Sequence, residues 1–285
     1  MFHFKRKALV AAMATGLAAP VLAADLYELP VVETPPVIQD VQYGGWYIRG
    51  DLDYHKSSFR GADYITYGAE NCGPCGGAVP VPGSKSFDFG NLKGAFSIGG
   101  GVGYKINRYF RTDLTADYWA KSKFTGQTSD LTSVSVDTSN FSALLLLANA
   151  YVDLGTWNRI TPYVGAGIGG AYVRWDDLHN SFPGVDDHHT GGKEWRFAYA
   201  LMAGASYCLT DKLDLDVGYR FSHINGGKMF SYADSSAGGP GAGPGFDRGM
   251  NTHEVRGGLR YSFGGSNNCS QPETVAYAPE PVYTK

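Results

Sequence analysis

Through eight separate stretches of this chain, apolar side chains recur at every second position. The stretches are joined alternately by short and long connections. A period of two sends successive side chains to opposite faces of a β-strand, so each stretch is a strand with one apolar and one polar or small face. Trp46, Ile48, Leu52 and Tyr54 alternate with Tyr47, Arg49, Asp51 and Asp53. Phe96, Ile98, Val102 and Tyr104 alternate with Ser97, Gly99, Gly101 and Gly103, and Phe110, Leu114, Ala116 and Tyr118 with Arg111, Asp113, Thr115 and Asp117. Between 141 and 154 the phase blurs, yet Leu146, Ala148, Ala150 and Val152 face away from Asn149, Tyr151 and Asp153. Later runs set Val164, Ala166, Ile168 and Tyr172 against Tyr163, Gly165, Gly167 and Gly169, and Phe197, Tyr199, Leu201 and Tyr207 against Arg196, Ala198, Gly204 and Ser206. The last two set Leu213, Leu215, Val217, Tyr219 and Phe221 against Asp214, Asp216, Gly218 and Arg220, and Val255, Leu259, Tyr261 and Phe263 against Glu254, Arg256, Gly258 and Arg260.

The short links fall at 107–109, 155–160 and 210–212, and the long ones at 55–93, 122–140, 176–193 and 224–251. A soluble sandwich has no reason for such strict alternation. A transmembrane barrel has one, with tight turns on its periplasmic side and large loops outside. The expected fold is an all-β, eight-stranded antiparallel up-and-down transmembrane β-barrel. Outside residues 1–23, no stretch approaches the ~18 apolar residues of a membrane helix, the longest aliphatic run there being 143–148.

Residues 1–23 read as a secretory signal peptide: Lys5, Arg6 and Lys7, an apolar run, then Val21-Leu22-Ala23 before the cut. The expected divisions are this signal, a periplasmic leader at 24–44, the barrel at 45–263 and a periplasmic tail at 264–285. Losing the signal removes three of the 24 Lys and Arg and none of the 27 Asp and Glu, so the net charge moves from −3 to −6. That excludes a basic surface for nucleic acid. The chain carries 39 Gly without a collagen period, and its 14% aromatic content excludes disorder.

All five tryptophans fall near predicted strand ends. Trp46 and Trp157, with Tyr104, Phe110, Tyr207, Tyr261 and Phe263, mark the turn side. Trp119, Trp175 and Trp195, with Tyr54, Tyr118, Phe141, Tyr172 and Phe221, mark the loop side. Two aromatic girdles flanking an apolar belt place the rings at the two headgroup layers. The expected partners are outer-membrane lipid, lipopolysaccharide and the barrel-assembly machinery.

A lipid-facing apolar wall puts the charges inside. Arg49, Arg111, Arg196, Arg220, Arg256 and Arg260 stand against Asp51, Asp53, Asp113, Asp117, Asp214, Asp216 and Glu254, close to the balance that a buried network requires. The antiparallel register brings Asp214 and Asp216 to the level of Arg260, and Arg220 to that of Glu254. An eight-stranded lumen is narrow enough for side chains to fill, with inward glycines making room for arginine and tyrosine. The same charges would also suit a gate or an ion path.

Other motifs resolve into structure. Gly165–Gly170 spells G-x-G-x-x-G, but the alternation runs on to Trp175 where a dinucleotide site needs a helix, so no cofactor is expected. Cys72-Gly-Pro-Cys75 spells a thioredoxin-type site, but it lies in a Gly- and Pro-rich loop and reads as a stapling disulfide. Cys208, at a strand end, and Cys269, beyond Phe263, are expected to bridge on the turn side. The third loop holds Asp176, Asp177, His179, Asp186, Asp187, His188 and His189, metal-capable side chains with no defined spacing on a rigid element, so no metal is assigned. The fourth is low-complexity from Ser235 to Phe246.

The segments Ala148–Gly155, Thr161–Ile168, Leu213–Arg220 and His253–Phe263 resemble strands of small outer-membrane β-barrel proteins of alphaproteobacteria. That group is called a porin family or OmpA-like barrel and includes surface antigens of rhizobia, Brucella and Bartonella. The resemblance spans roughly 45–263 and implies fold and location. Two departures stand out: Phe263 is followed by 22 residues where such barrels end in an aromatic, and 264–285 is too short for a peptidoglycan-binding domain. His223, in Tyr219–Asn225, resembles the histidine segment of outer-membrane lipid A deacylases, but Asn225 stands where they carry serine. The reading that follows is a non-enzymatic structural barrel displaying loops to a host or surface ligand. The alternatives are a small porin and a lipid A-modifying enzyme.

Overall fold

A computed structural model of the protein describes residues 37–38, 44–72, 77–129, 134–182, 185–232, 245–264, 267–269 and 274–275. The chain divides into two compact units, 1–38 with 274–285, and 39–273. In the first, Val37–Ile38 pairs antiparallel with Thr274–Val275. The signal segment 1–23 lies outside the described residues.

The second unit carries the alternation in β1 (Gly45–Phe59), β2 (Ala95–Lys105), β3 (Phe110–Ser129), β4 (Val134–Asp153), β5 (Ile160–Trp175), β6 (Lys193–Cys208), β7 (Leu213–Ile224) and β8 (Met250–Phe263). Each pairs antiparallel with the next. β8 returns to β1 from Met250↔Phe59 to Phe263↔Trp46, and the sheet closes on itself. Closure pairs every strand edge, which the interior of a bilayer demands because no water is there to satisfy a free backbone group. The wall is inside-out relative to a soluble core: Leu52, Leu114, Ile168 and Val255 are each more than 60% exposed, whereas Asp53, Arg111, Asp117, Arg220 and Glu254 are at most 1% exposed.

The turn side is tightly built. Trp157 and Ile160 exchange backbone hydrogen bonds of 2.9 Å, with Asn158 and Arg159 between them at φ 48° and 69°. Positive φ at both central residues is the type I′ hairpin, whose twist matches its strands. Arg159 is held there by its own side chain, which donates from Nε to the Cys208 carbonyl at 2.9 Å and from Nη2 to that of Leu209 at 2.9 Å.

The sequence leads one to expect four long loops, but these connections contain paired strands. The segment 55–93 contains the paired strands Ala62–Cys72 and Gly77–Ser86, and also Phe89–Leu92, which pairs with β3. The segment 122–140 is mostly the prolongation of β3 and β4, each 20 residues long. The segment 176–193 forms the hairpin Leu178–Phe182 with Val185–Gly191, and 224–251 contributes Gly227–Tyr232 and Gly245–Asp247. A membrane crossing needs only ~9–11 residues per strand, so the sheet continues past the apolar belt. The physical reason is that the polar backbone finds its partners in neighbouring connections: Val185–Gly191 pairs with Gly227–Tyr232, and Gly245–Asp247 with Ala62–Cys72. The polar alternation of these segments gives no apolar signal of strand.

Cys208 and Cys269 form a disulfide with Cα atoms 6.3 Å apart, as expected from sequence. It pins the residues beyond β8 to the end of β6, across a sequence separation of 61. Cys75, and with it the expected Cys72–Cys75 staple, lies outside the described residues. Cys269→Ser is expected to lower unfolding stability by about 2–4 kcal/mol, because the cross-link restricts the unfolded chain. Urea unfolding of the oxidised parent and the variant in one detergent measures it, and equal midpoints would refute it.

Candidate functional site

The barrel interior gathers all the inward charges anticipated from sequence except Arg196, which sits higher, and it adds aromatic side chains. At the turn end Arg111 donates from Nε to Asp153 Oδ1 at 3.0 Å, with its guanidinium over the Tyr151 ring at 4.0 Å and the Tyr163 ring at 4.6 Å. Arg260 lies 3.0 Å from Asp214 and 3.5 Å from Asp216, and also donates to Ser206 at 3.2 Å. Asn267, beyond the last strand, reaches back to Asp214 at 2.9 Å and to the Thr210 carbonyl at 2.6 Å, closing this floor. The space among Tyr47, Lys105, Arg111, Arg260 and Asn268 is about 10 Å³, roughly room for one water.

The middle level is a shared lattice. Arg49 forks onto Asp51 at 2.8 Å and also meets Asp113 at 3.3 Å. Asp113 further accepts from Tyr47 at 3.1 Å and Asn149 at 2.7 Å. Arg256 lies 3.1 Å from Asp51, 3.3 Å from Asp53 and 3.4 Å from Asp117. Arg220 stands above it, 2.9 Å from Asp117 and 3.8 Å from Asp53, with its Nε on Glu254 Oε2. Inward glycines make the space: a Cβ on Gly103 would overlap the Tyr47 ring, and one on Gly165 the Tyr151 ring.

Above the lattice the chemistry changes to a buried aromatic plug. Trp175 packs against Phe141 at 5.0 Å, Phe124 at 5.4 Å, Phe230 at 5.5 Å and Phe59 at 6.4 Å between centroids. Trp119 stacks on His55 at 4.8 Å, and His55 Nε2 meets Ser122 Oγ at 3.3 Å. Arg196 joins this end, bonding Asp247 at 2.6 Å, Glu194 at 3.0 Å and the Lys228 carbonyl at 2.8 Å.

Three girdle assignments are thereby corrected. Trp119, Trp175 and Phe141 are buried in the lumen, at 0%, 1% and 0% exposure, and not set against lipid. Their own strands carry the reason: Trp119 is in phase with Arg111, Asp113, Thr115 and Asp117, Trp175 with Tyr163, Gly165, Gly167 and Gly169, and Phe141 with Asn149 and Tyr151. Nearness to a strand end was the wrong signal, and phase the right one. Trp46, Trp157, Trp195, Tyr261 and Phe263 do face outward.

At the long-connection end, Arg248 donates to both carboxylate oxygens of Asp63, and Ser86 donates to the same group at 2.6 Å. The Arg248 and Ser86 hydrogen bonds hold the Asp63 carboxyl below the usual carboxylate range. Burial pushes Asp247 upward, against the partial opposition of Arg196. Partial burial would also raise Asp176, but hydrogen bonds from Lys121 at 2.7 Å and Asn140 at 3.3 Å outweigh it and leave that group lowered. His223 packs on Tyr199 at 5.2 Å and bonds Asn251 through Nδ1 at 2.7 Å. No group of three metal-ligating side chains is gathered among the described residues.

The model of the outer membrane protein β-barrel domain family matches residues 9–263. A protein of Brucella abortus (strain 2308) is 38% identical over 91% of this chain and 99% of its own length. A Rickettsia canadensis protein named as a candidate adhesin is 33% identical over 47% of this chain and 61% of its own. Among solved structures, Neisserial surface protein A is 20% identical, with a TM-score of 0.40 over 77% of this chain and 97% of that one. The family match covers all eight closing strands. The chain therefore belongs to the outer membrane protein β-barrel domain family and is an outer-membrane β-barrel protein of a Gram-negative bacterium.

Proposed function

We propose that the protein is a structural and surface-interaction barrel whose whole membrane-crossing unit is the ring β1–β8. Its bore is filled, and the sheet beyond the belt is offered to host or environmental ligands. Residues 24–44 and 264–285 lie on the periplasmic side in this reading, after removal of 1–23. The observation that carries it is the occupancy of the lumen at every level: the Arg260 floor, the Arg49–Arg256–Arg220 lattice and the Trp175 plug. A chain of charges paired at these distances offers an ion no open path, and an eight-stranded bore has little space left beyond its own side chains. The similarity to a relative named as a candidate adhesin favours recognition through the long connections.

Planar-bilayer recording of the purified, folded chain tests this reading. Absence of steady conductance steps is expected, and defined steps of constant size would overturn the filled bore in favour of a small porin.

A further inference from the structure

In the third long connection the strands Leu178–Phe182 and Val185–Gly191 set His179 directly opposite His188. Directly opposed residues of an antiparallel pair project to one face. The two imidazoles do so, exposed to solvent with ring centroids 4.3 Å apart. The hairpin register thus supplies the defined spacing that the linear sequence withholds. Asp186 lies two residues from His188 on the same strand, so it shares that face. Asp177, also close by, is engaged by the Gly191 amide at 2.9 Å.

We propose that His179 and His188 form a two-imidazole site for a divalent transition metal of the copper, nickel and zinc group. Two imidazole nitrogens bound at about 2.0–2.1 Å to one ion stand roughly 3 Å apart. Rings with centroids 4.3 Å apart reach that separation by side-chain rotation alone. Imidazole donors favour borderline ions, with Cu²⁺ bound tightest, over the hard cations that prefer an all-oxygen shell. Because no three ligating side chains are already gathered among the described residues, the site is a clamp, completed by water or by rotation of Asp186, and not a closed cage. Asp186 adds negative charge beside the clamp, whereas Lys123, which lines the adjacent cleft with His179, opposes it. The site stands apart from the lumen and does not depend on whether the barrel conducts.

The test uses the untagged chain without residues 1–23, folded in detergent and titrated with Cu²⁺, Ni²⁺ and Zn²⁺ by calorimetry. One equivalent is expected, bound most tightly for Cu²⁺. His179→Asn and His188→Asn should each weaken it by at least about a hundredfold, the upper end of what loss of even a supporting partner costs a metal site. His253→Asn removes an exposed ring that contacts Tyr219, and it should change nothing. Electron paramagnetic resonance of the Cu²⁺-loaded parent, which needs no variant, should show two coordinated nitrogens. Parental affinity in either hairpin variant, or a spectrum with fewer than two nitrogens, overturns the site.

Discussion

Arg220→Met is expected to lower the stability of the folded barrel by about 3–5 kcal/mol, the usual consequence of leaving buried charges without their partner. The guanidinium is fully buried and serves three carboxylates, those of Asp117, Glu254 and Asp53. Asp117 keeps Arg256 at 3.4 Å, and Asp53 keeps it at 3.3 Å, whereas Glu254 has its closest partner in Arg220. The uncompensated charge therefore falls chiefly on Glu254. Adding Glu254→Gln should recover at least about 1 kcal/mol, since residues of one ion-pair network couple by about 0.5–3 kcal/mol. Urea midpoints in detergent, and the temperature at which the compact form disappears from an SDS gel, measure both variants. A single variant indistinguishable from the parent would mean that the lattice fills the bore without holding it together.

Trp175→Ala is expected to remove a comparable 3–5 kcal/mol, by another route: loss of a large buried side chain together with the cavity it leaves. Its ring touches side chains from β1, β3, β4 and the strand Gly227–Tyr232, so it fastens the fourth long connection to the wall. The effect should be local. Trypsin cleavage after Lys228, whose carbonyl Arg196 holds at 2.8 Å, should accelerate by at least about a hundredfold, because each 1.4 kcal/mol of easier opening is about tenfold. Strands β7 and β8 below the plug should stay protected. Unchanged cleavage at Lys228 with a lowered global midpoint would place the role of Trp175 in the barrel as a whole.

The two experiments separate two kinds of legibility. The ion-pair levels could be read from the chain because β7 and β8 are adjacent and antiparallel, so pairing Asp214 with Arg260 and Arg220 with Glu254 is register arithmetic. The aromatic plug was legible in principle, since Trp119, Trp175 and Phe141 keep the phase of their inward-facing neighbours, but position near a strand end masked it. The β-bulge between Trp119 and Ser122 is another matter. It shifts the phase of β3 beyond the belt, so that Ser122 and Phe124 face inward where unbroken alternation would face them outward. Nothing in Ala120-Lys121 announces it. The inward Tyr47, Asn149 and Asp153 were visible as polar-phase residues, but their partners were not, because Asp113 on β3 serves Tyr47 and Arg49 from β1 and Asn149 from β4.

The sequence by itself determined the class of fold, the number of alternating stretches, the face each presents and the bridging of Cys208 to Cys269. These follow from local rules: a period of two, the spacing of the turns and the need to shield backbone from lipid. Only the tertiary structure decided that the long connections are themselves paired strands, that aromatic side chains close one end of the bore, and that His179 meets His188. Each of these depends on which distant backbone a polar segment finds as its partner. In segments without an apolar face, alternation leaves that choice open, and it is settled only when the closed wall brings the connections together.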